Sequence, residues 1–498
     1  MFKEFFLIYT ETFRNLKSVN MNRILQIRYV FLCSILLLAS CSRQREITVK
    51  KPNIIYIYTD QQHANMMSCA GNKWVNTPAM DYIANNGIRF TRAYTTNPVC
   101  SPARISMITG RFPSYFNDEK GNEVRENWGA SRVPGVSEEV LNSTIANYAQ
   151  QAGYDLIFGG KEHLPQSLRP DTLGFTDISD NERNVLANEA AKYIKSNHEK
   201  PYFMIVSLIN PHDICYMAIR DFAETAFDSL LLNKGQVELA ELDNAMQIPE
   251  GVSKEEFYEK YCPPTPPNYE AQKGEPIAIK TLLKNRNFRN NARANYSDED
   301  WRMHRWAYCR LTEVVDNEIQ VILDALKASG EEENTLIMLS SDHGDMDAAH
   351  RMEHKSTMYE ESANVPFLAM WKSQIPSGQI DTTHLISNGL DLIPTVCDFM
   401  GVEGSADPRG RSMRSLMEGN NADWRNYLGV ESEVGKMVVS EDGYKFLRYD
   451  FTGIEEQLLD LNKDPFETTH FTDSIGYTEK LAELKKIYLT DWFPEESN

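Results

Sequence analysis

Four apolar runs of strand length, each ending in a polar cluster, constrain this chain more than any other feature. They are Asn53-Ile-Ile-Tyr-Ile-Tyr58, Tyr154-Asp-Leu-Ile-Phe158, Tyr202-Phe-Met-Ile-Val-Ser-Leu208 and Thr335-Leu-Ile-Met-Leu-Ser340. Continuous rather than alternating apolarity suits strands buried on both faces of a parallel sheet. Helices are expected between them: one opened by Thr77-Pro78 and closed by Gly87, then 137–152, 181–197 and 300–329. The alternation predicts an α/β fold, a large mixed and mainly parallel sheet sandwiched by helices. A further short strand is expected over 88–94. Residues 215–300, with the proline-rich stretch Cys262–Asn268, read as an irregular excursion over one face. From about Asp423 the texture changes to short strands at 436–440, 444–449 and 457–461, followed by a helix over 477–489. That pattern predicts a main domain over 51–422 and a small C-terminal antiparallel sheet plus helix over 423–498.

In a parallel sheet, ligands bind beyond the carboxyl ends of the strands. Here those ends carry Asp60-Gln61, Lys161-x-His163, His212 and Asp342-His343. Each alone has a plain explanation: a carboxylate capping a helix, a solvated lysine, a histidine satisfied in a turn. Their shared position at one end of one sheet points instead to a single site. Asp60, Asp342 and the Gln61 oxygen are hard donors suited to Ca²⁺ or Mg²⁺, and His343 offers a nitrogen. Arg104, Lys161 and Lys355 bring fixed positive charge able to neutralise an oxyanion.

Between the first two runs lies Cys100-Ser-Pro-Ala-Arg104, continuing to Thr109-Gly110-Arg111. Pro102 reads as the first residue of a helix, Ser101 as its cap and Gly110 as its stop. Cys100 then sits at a helix N-terminus, where the dipole favours a thiolate. On residue chemistry alone, a small buried cysteine before an ordinary helix is the commoner case.

The segment Cys-x-Pro-x-Arg followed by Thr-Gly-Arg resembles the signature of type I sulfatases in the alkaline phosphatase superfamily. The resemblance extends over nearly the whole chain after residue 50. It includes Asp60-Gln61, Thr77-Pro78-x-x-Asp81, Gly159-Gly160-Lys161-x-His163, Asn210-Pro211-His212-Asp213, Ser341-Asp342-His343-Gly344, His354-Lys355-x-Thr357 and Asp460–Thr468. It implies that a maturing enzyme oxidises Cys100 to formylglycine, whose hydrated gem-diol attacks the sulfur of a sulfate ester. Asp60, Gln61, residue 100, Asp342 and His343 would bind Ca²⁺, with Mg²⁺ the alternative, and Arg104 would hold the gem-diol. Lys161 and Lys355 would grip sulfate oxygens. His212 would protonate the leaving alcohol, and His163 would deprotonate the second hydroxyl to expel sulfate. Three positions depart from the family pattern: Gln61 stands where a second aspartate is common, His343 where asparagine is, and Asn364 where arginine is. The neutral Gln61 leaves one negative charge fewer at the metal, which leaves its identity open.

The net charge of −20 argues against nucleic acid as a partner and requires any sulfate pocket to be locally basic. After Arg23 and Arg28, the apolar run Tyr29–Leu38 is too short to span a membrane and reads as a signal peptide over 1–40. Leu38-Ala39-Ser40-Cys41 resembles a bacterial lipobox, which implies a lipid anchor on Cys41 and a place in the bacterial cell envelope, periplasmic or outer-membrane. A signal peptide with a chance cysteine is the alternative. Setting aside Cys33, Cys41 and Cys100 leaves five scattered cysteines without C-x-x-C spacing, so free thiols are expected. An exported sulfatase points to sulfated glycans as substrate, with 115–132 and 215–300 shaping a sugar subsite. Two rival readings share these residues: a phosphonate or phosphate ester hydrolase of the same superfamily, and a non-catalytic glycan-binding lipoprotein.

Overall fold

The computed structural model describes residues 51–497 apart from Trp128, Ala130 and Ser131. The expected signal peptide and lipid-bearing Cys41 lie outside the described residues. Ten strands build the larger part: β1 (Asn53–Asp60), β2 (Ile88–Phe90), β3 (Ala93–Tyr94), β4 (Asp155–Gly160), β5 (Thr176–Ser179), β6 (Tyr202–Pro211), β7 (Thr335–Ser341), β8 (Phe367–Met370), β9 (Gln379–Asp381) and β10 (Ile386–Ser387). Eight of them form one sheet in the order β5-β4-β6-β1-β7-β8-β2-β9. Only β8 runs against its neighbours. The four apolar runs are therefore the adjacent strands β4-β6-β1-β7, all parallel and in register.

Burial on both faces explains their composition. Ile54, Tyr56, Phe203, Ile205, Leu336 and Met338 face one core. Ile55, Ile57, Met204, Val206, Ile337 and Leu339 face the other. The first face is covered by the helices Cys100–Thr109, Ile145–Gln151 and Leu392–Met400, and the second by Pro78–Asn85, Asn184–Ile194 and Asp298–Ser329. The last of these opens with a capping box, Ser297 and Asp300 each bonding the other's backbone N–H.

Several expected boundaries move. The 88–94 strand is two: β2 joins the main sheet, while β3 pairs with β10 in a separate ribbon. The 137–152 helix breaks at Ser143-Thr144, because both hydroxyls bond nearby backbone groups and Thr144 caps a new helix. Thr77 does not cap the Pro78 helix; its hydroxyl accepts from Ser68 N–H, and Asp316 on the long helix accepts from Ala79 and Met80 N–H instead. Gly87 serves as a point of close approach, since a Cβ there would lie 1.9 Å from the Ala369 carbonyl oxygen. The 215–300 stretch is not irregular. It holds short helices at Tyr216–Asp221, Ala226–Lys234, Gln236–Ala245, Ile277–Lys284 and Asn287–Asn295. Segments such as Gln236–Ala245 (QVELAELDNA) show little apolar periodicity, and packing on the Asp298–Ser329 helix and its neighbours holds them.

Four antiparallel strands follow: β11 (Tyr427–Ser432), β12 (Gly435–Ser440), β13 (Tyr444–Tyr449) and β14 (Glu455–Asp460), then the helix Thr478–Ile487. β11 was outside the expected set. Its apolar side chains share a core with Met346, Met358, Tyr359 and Leu385, so this sheet is fused to the loop carrying Lys355. Lys445, fully buried, ties the two together by donating to Met358 O, Glu360 and Glu467.

Candidate active site

The carboxyl ends of β4, β6, β1 and β7 deliver Lys161, His212, Asp60 and Asp342 to one place. Cys100 joins them from the helix Cys100–Thr109, of which it is the first residue, with Val99 at the N-cap and Gly110 closing at φ 64°. Ser101 is thus not the cap and Pro102 not the first residue. Proline is tolerated anywhere in the first turn, where N–H groups have no intrahelical acceptor. Cys100 Sγ lies 2.9 Å from Lys355 Nζ, 3.1 Å from His343 Nε2 and 3.6 Å from Asp60 Oδ1. Burial and Asp60 push its thiol up, but Lys355, Lys161 and His343 outweigh them and hold it well below the ordinary thiol range.

Arg104, one helical turn on and 1% exposed, braces the site. Its Nη2 and Nε each lie 2.9 Å from a carboxylate, of Asp60 and Asp342 respectively. Nη1 donates to Lys161 O and Ser207 Oγ, and the guanidinium lies over Tyr58 at 5.0 Å. Lys161 Nζ adds an ion pair to Asp60 at 2.7 Å. Burial raises the Asp60 carboxyl, yet Lys161, His212, Arg104 and Lys355 together hold it well below the carboxylate range. Asp342 goes the other way, raised by burial and by Asp60.

Ligand atoms of Asp60, Cys100, Asp342 and His343 all lie within 4.8 Å of one another. His343 Nδ1 donates to Gly344 O at 2.8 Å, which orients the ring and turns Nε2 towards Asp60, Asp342 and Cys100. Two carboxylates, a correctly turned imidazole and an oxygen or sulfur on residue 100 fit a divalent cation. Gln61 stands beside this group. It adopts φ 70° and donates its backbone N–H to Asp342 Oδ1. Its Nε2 donates to Asp345, so Oε1 points to Lys355 Nζ, 3.0 Å away, and to the Cys215 thiol.

Lys161, His163, His212 and Lys355 line a cavity of about 720 Å³ that opens from this point. His212 Nδ1 is buried there and makes no hydrogen bond. Burial, then Lys161, depress its imidazole well below the usual histidine value. The remaining described cysteines are free, as expected.

A sulfatase family model matches residues 52–402, and a model for the C-terminal part of N-sulphoglucosamine sulphohydrolase matches 348–491. The chain belongs to the sulfatase family. It is a sulfuric ester hydrolase. The chain is 26% identical over 463 residues to a Δ4,5-hexuronate-2-O-sulfatase of Bacteroides thetaiotaomicron, covering 88% of each. It is 26% identical over 514 residues to an N-acetylglucosamine-6-O-sulfatase of the same organism, covering 90% of this chain and 88% of the other. The fold matches that of a 2-O GAG sulfatase with a TM-score of 0.73, at 24% identity over 90% of this chain and 93% of the other.

Several residues that shape the sulfatase site escaped the sequence reading. Ser207 braces Arg104 from inside β6, where it reads as one polar residue in a buried run. Tyr308 donates its hydroxyl to Gln61 O at 2.6 Å from a helix more than two hundred residues away in sequence. Asp345 orients Gln61 and could have been noticed, since it closes the Asp342-His343-Gly344-Asp345 run. His354, noted in the sequence only as the start of the His354-Lys355 block, also lines the cavity next to Lys355.

Proposed function

We propose that this sulfatase removes sulfate esters from sulfated glycans, using Cys100 after a maturing enzyme has converted it to formylglycine. The observation that carries the reading is the setting of Cys100. It is buried among Lys355, His343 and Asp60 at the end of a cavity lined by Lys161, His163 and His212. Two relatives covering most of the chain are named for sulfated sugars, a hexuronate and an N-acetylglucosamine, which supports a saccharide substrate.

The hydrated aldehyde supplies two hydroxyls on one carbon, so one can attack while the other remains to release the product. A divalent cation held by Asp60, Asp342, His343 and residue 100, with Gln61 alongside, supplies Lewis acidity; Ca²⁺ is our first choice and Mg²⁺ the second. Lys161 and Lys355 neutralise the non-bridging oxygens of the ester at the inner end of the cavity. Arg104 bridges the two aspartates as their shared counter-charge. His212 gives its proton to the departing alcohol. In the resting site burial and Lys161 depress its imidazole, and the negative ester offsets the field of Lys161 and Lys355, raising its proton affinity on binding. His163 takes the proton from the second hydroxyl.

The test is sulfate release from defined sulfated saccharides, followed by ion chromatography, with enzyme co-produced with a maturase. Release is expected, lost on dialysis against EDTA and restored by Ca²⁺ or Mg²⁺. No release from any sulfated saccharide, by protein whose residue 100 is shown by mass spectrometry to be the aldehyde, would overturn the reading.

We further propose that the enzyme is a lipoprotein of the bacterial cell envelope, anchored through Cys41. Support comes from the lipobox-like Leu38-Ala39-Ser40-Cys41 after a signal-like apolar run. Metabolic labelling with palmitate should mark the protein, and Cys41→Ala should abolish the label; an equally labelled variant would refute the anchor.

A further inference from the structure

The cavity that reaches Lys161 and Lys355 has a second cationic wall. Arg286 and Arg289 line it, the first just before the helix Asn287–Asn295 and the second in its first turn. Among the described residues neither guanidinium forms an ion pair, and Arg289 Nε is buried without a hydrogen-bond acceptor. The nearby carboxylates offset them only in part: the field of Glu433 reaches both arginines and that of Asp228 reaches Arg286, yet burial still pushes both guanidiniums down. Glu433 shares the cavity wall but pairs with neither, and Asp228 accepts from the backbone N–H groups of Glu224 and Thr225.

Two neighbouring guanidiniums repel one another, and partial burial takes away the water that would screen them. Arg286 is pushed down first by burial and then by Arg289, the mark of like charges in a shared space. An arginine pair only partly neutralised in a cavity is costly to the free protein and favourable to an anion that enters. Its placement is rigid. Phe288, between the two arginines, packs on His354 with ring centroids 5.2 Å apart, and His354 precedes Lys355. Arg286 lies over the Phe227 ring at 5.4 Å. Phe227 and Phe451, 37% and 39% exposed, also line the cavity, offering aromatic faces to a sugar ring.

We propose that Arg286 and Arg289 form a subsite for a second anionic group, so that the preferred saccharide carries a carboxylate or another sulfate besides the ester that is cleaved. This inference rests on the sulfatase reading above. It deepens that reading by stating a charge requirement that neither the fold nor the Cys100 cluster imposes.

The experiment measures preference. Formylglycine-bearing enzyme is given a sulfated uronate-containing disaccharide and its carboxyl-reduced form, and in parallel a disulfated glucosamine and its monosulfated form. Wild-type kcat/KM should favour the doubly anionic member of at least one pair by tenfold or more, and the pair that responds identifies carboxylate or sulfate. Arg286→Gln/Arg289→Gln should cut that preference at least tenfold, mainly through KM, and Arg289→Lys should restore part of it. No preference in the wild type, or a preference the double variant leaves within twofold, would overturn the proposal. Calorimetric binding of the same pairs to Cys100→Ser reads the subsite without turnover. Tighter binding of the doubly anionic saccharide there upholds the subsite even if no sulfate is released, a result that would count against the sulfatase reading alone. Equal binding of both members counts against the subsite.

Discussion

Cys100→Ala should abolish sulfate release, by about four to six orders of magnitude, while leaving the fold intact. The side chain removed is small, and alanine is the best helix former at the position it vacates. Lys355, which loses the sulfur as a partner, keeps Gln61 Oε1 at 3.0 Å. Stability should therefore change little, and the loss should appear in kcat. The measurement is sulfate release by ion chromatography, beside a thermal melt and mass spectrometry of the wild-type peptide spanning residue 100. Multiple turnovers by protein whose peptide still holds an intact thiol would end the role assigned to Cys100. Conversion to the aldehyde fits the surroundings. The field of Lys355, Lys161 and His343 that favours a thiolate also favours an oxyanion at the same point.

Arg104→Met should do damage of another kind, lowering stability by about 3–5 kcal/mol at neutral pH as well as eliminating activity. The guanidinium is the counter-charge shared by Asp60 and Asp342. Methionine fills much of the space but leaves the two carboxylates with Lys161 paired to Asp60 and the His343 ring between them as the remaining partners. The pH dependence follows from the direction of the Asp60 shift. Its folded-state pKa lies well below the unfolded one, so the stability it contributes is present above the unfolded value and lost as pH falls through the folded value. Removing Arg104 erases part of that contribution, so the difference between wild type and variant should be fully present at pH 7.5 and shrink only below the unfolded carboxylate value of about 4, towards pH 2. Denaturant unfolding at the two pH values is the check. An undiminished difference at low pH would mean that packing against Tyr58, rather than charge, is what Arg104 supplies.

The ends of β1, β4, β6 and β7 were legible because a strand buried on both faces must be continuously apolar, so its exit into polar residues marks the edge of the sheet. Asp60, Lys161, His212 and Asp342 stand at such exits. The 215–300 stretch was not legible. Helices such as Gln236–Ala245 and Asn287–Asn295 bury few residues each and owe their form to neighbours distant in sequence. The supporting residues hid for the same reason: nothing around Ser207 or Tyr308 in the chain announces the group that each one bonds.

The amino-acid order alone determined the layered architecture and the chemical types at the site, since periodicity and strand-end residues are local properties of the chain. Only the tertiary structure decided that Gln61 turns its carbonyl to Lys355, that Arg104 spans two aspartates, and that Arg286 and Arg289 face the same cavity as Lys161 and Lys355. Hydrogen-bond partnership and shared burial depend on distances across the sheet, and no local pattern encodes a distance between residues separated by hundreds of positions.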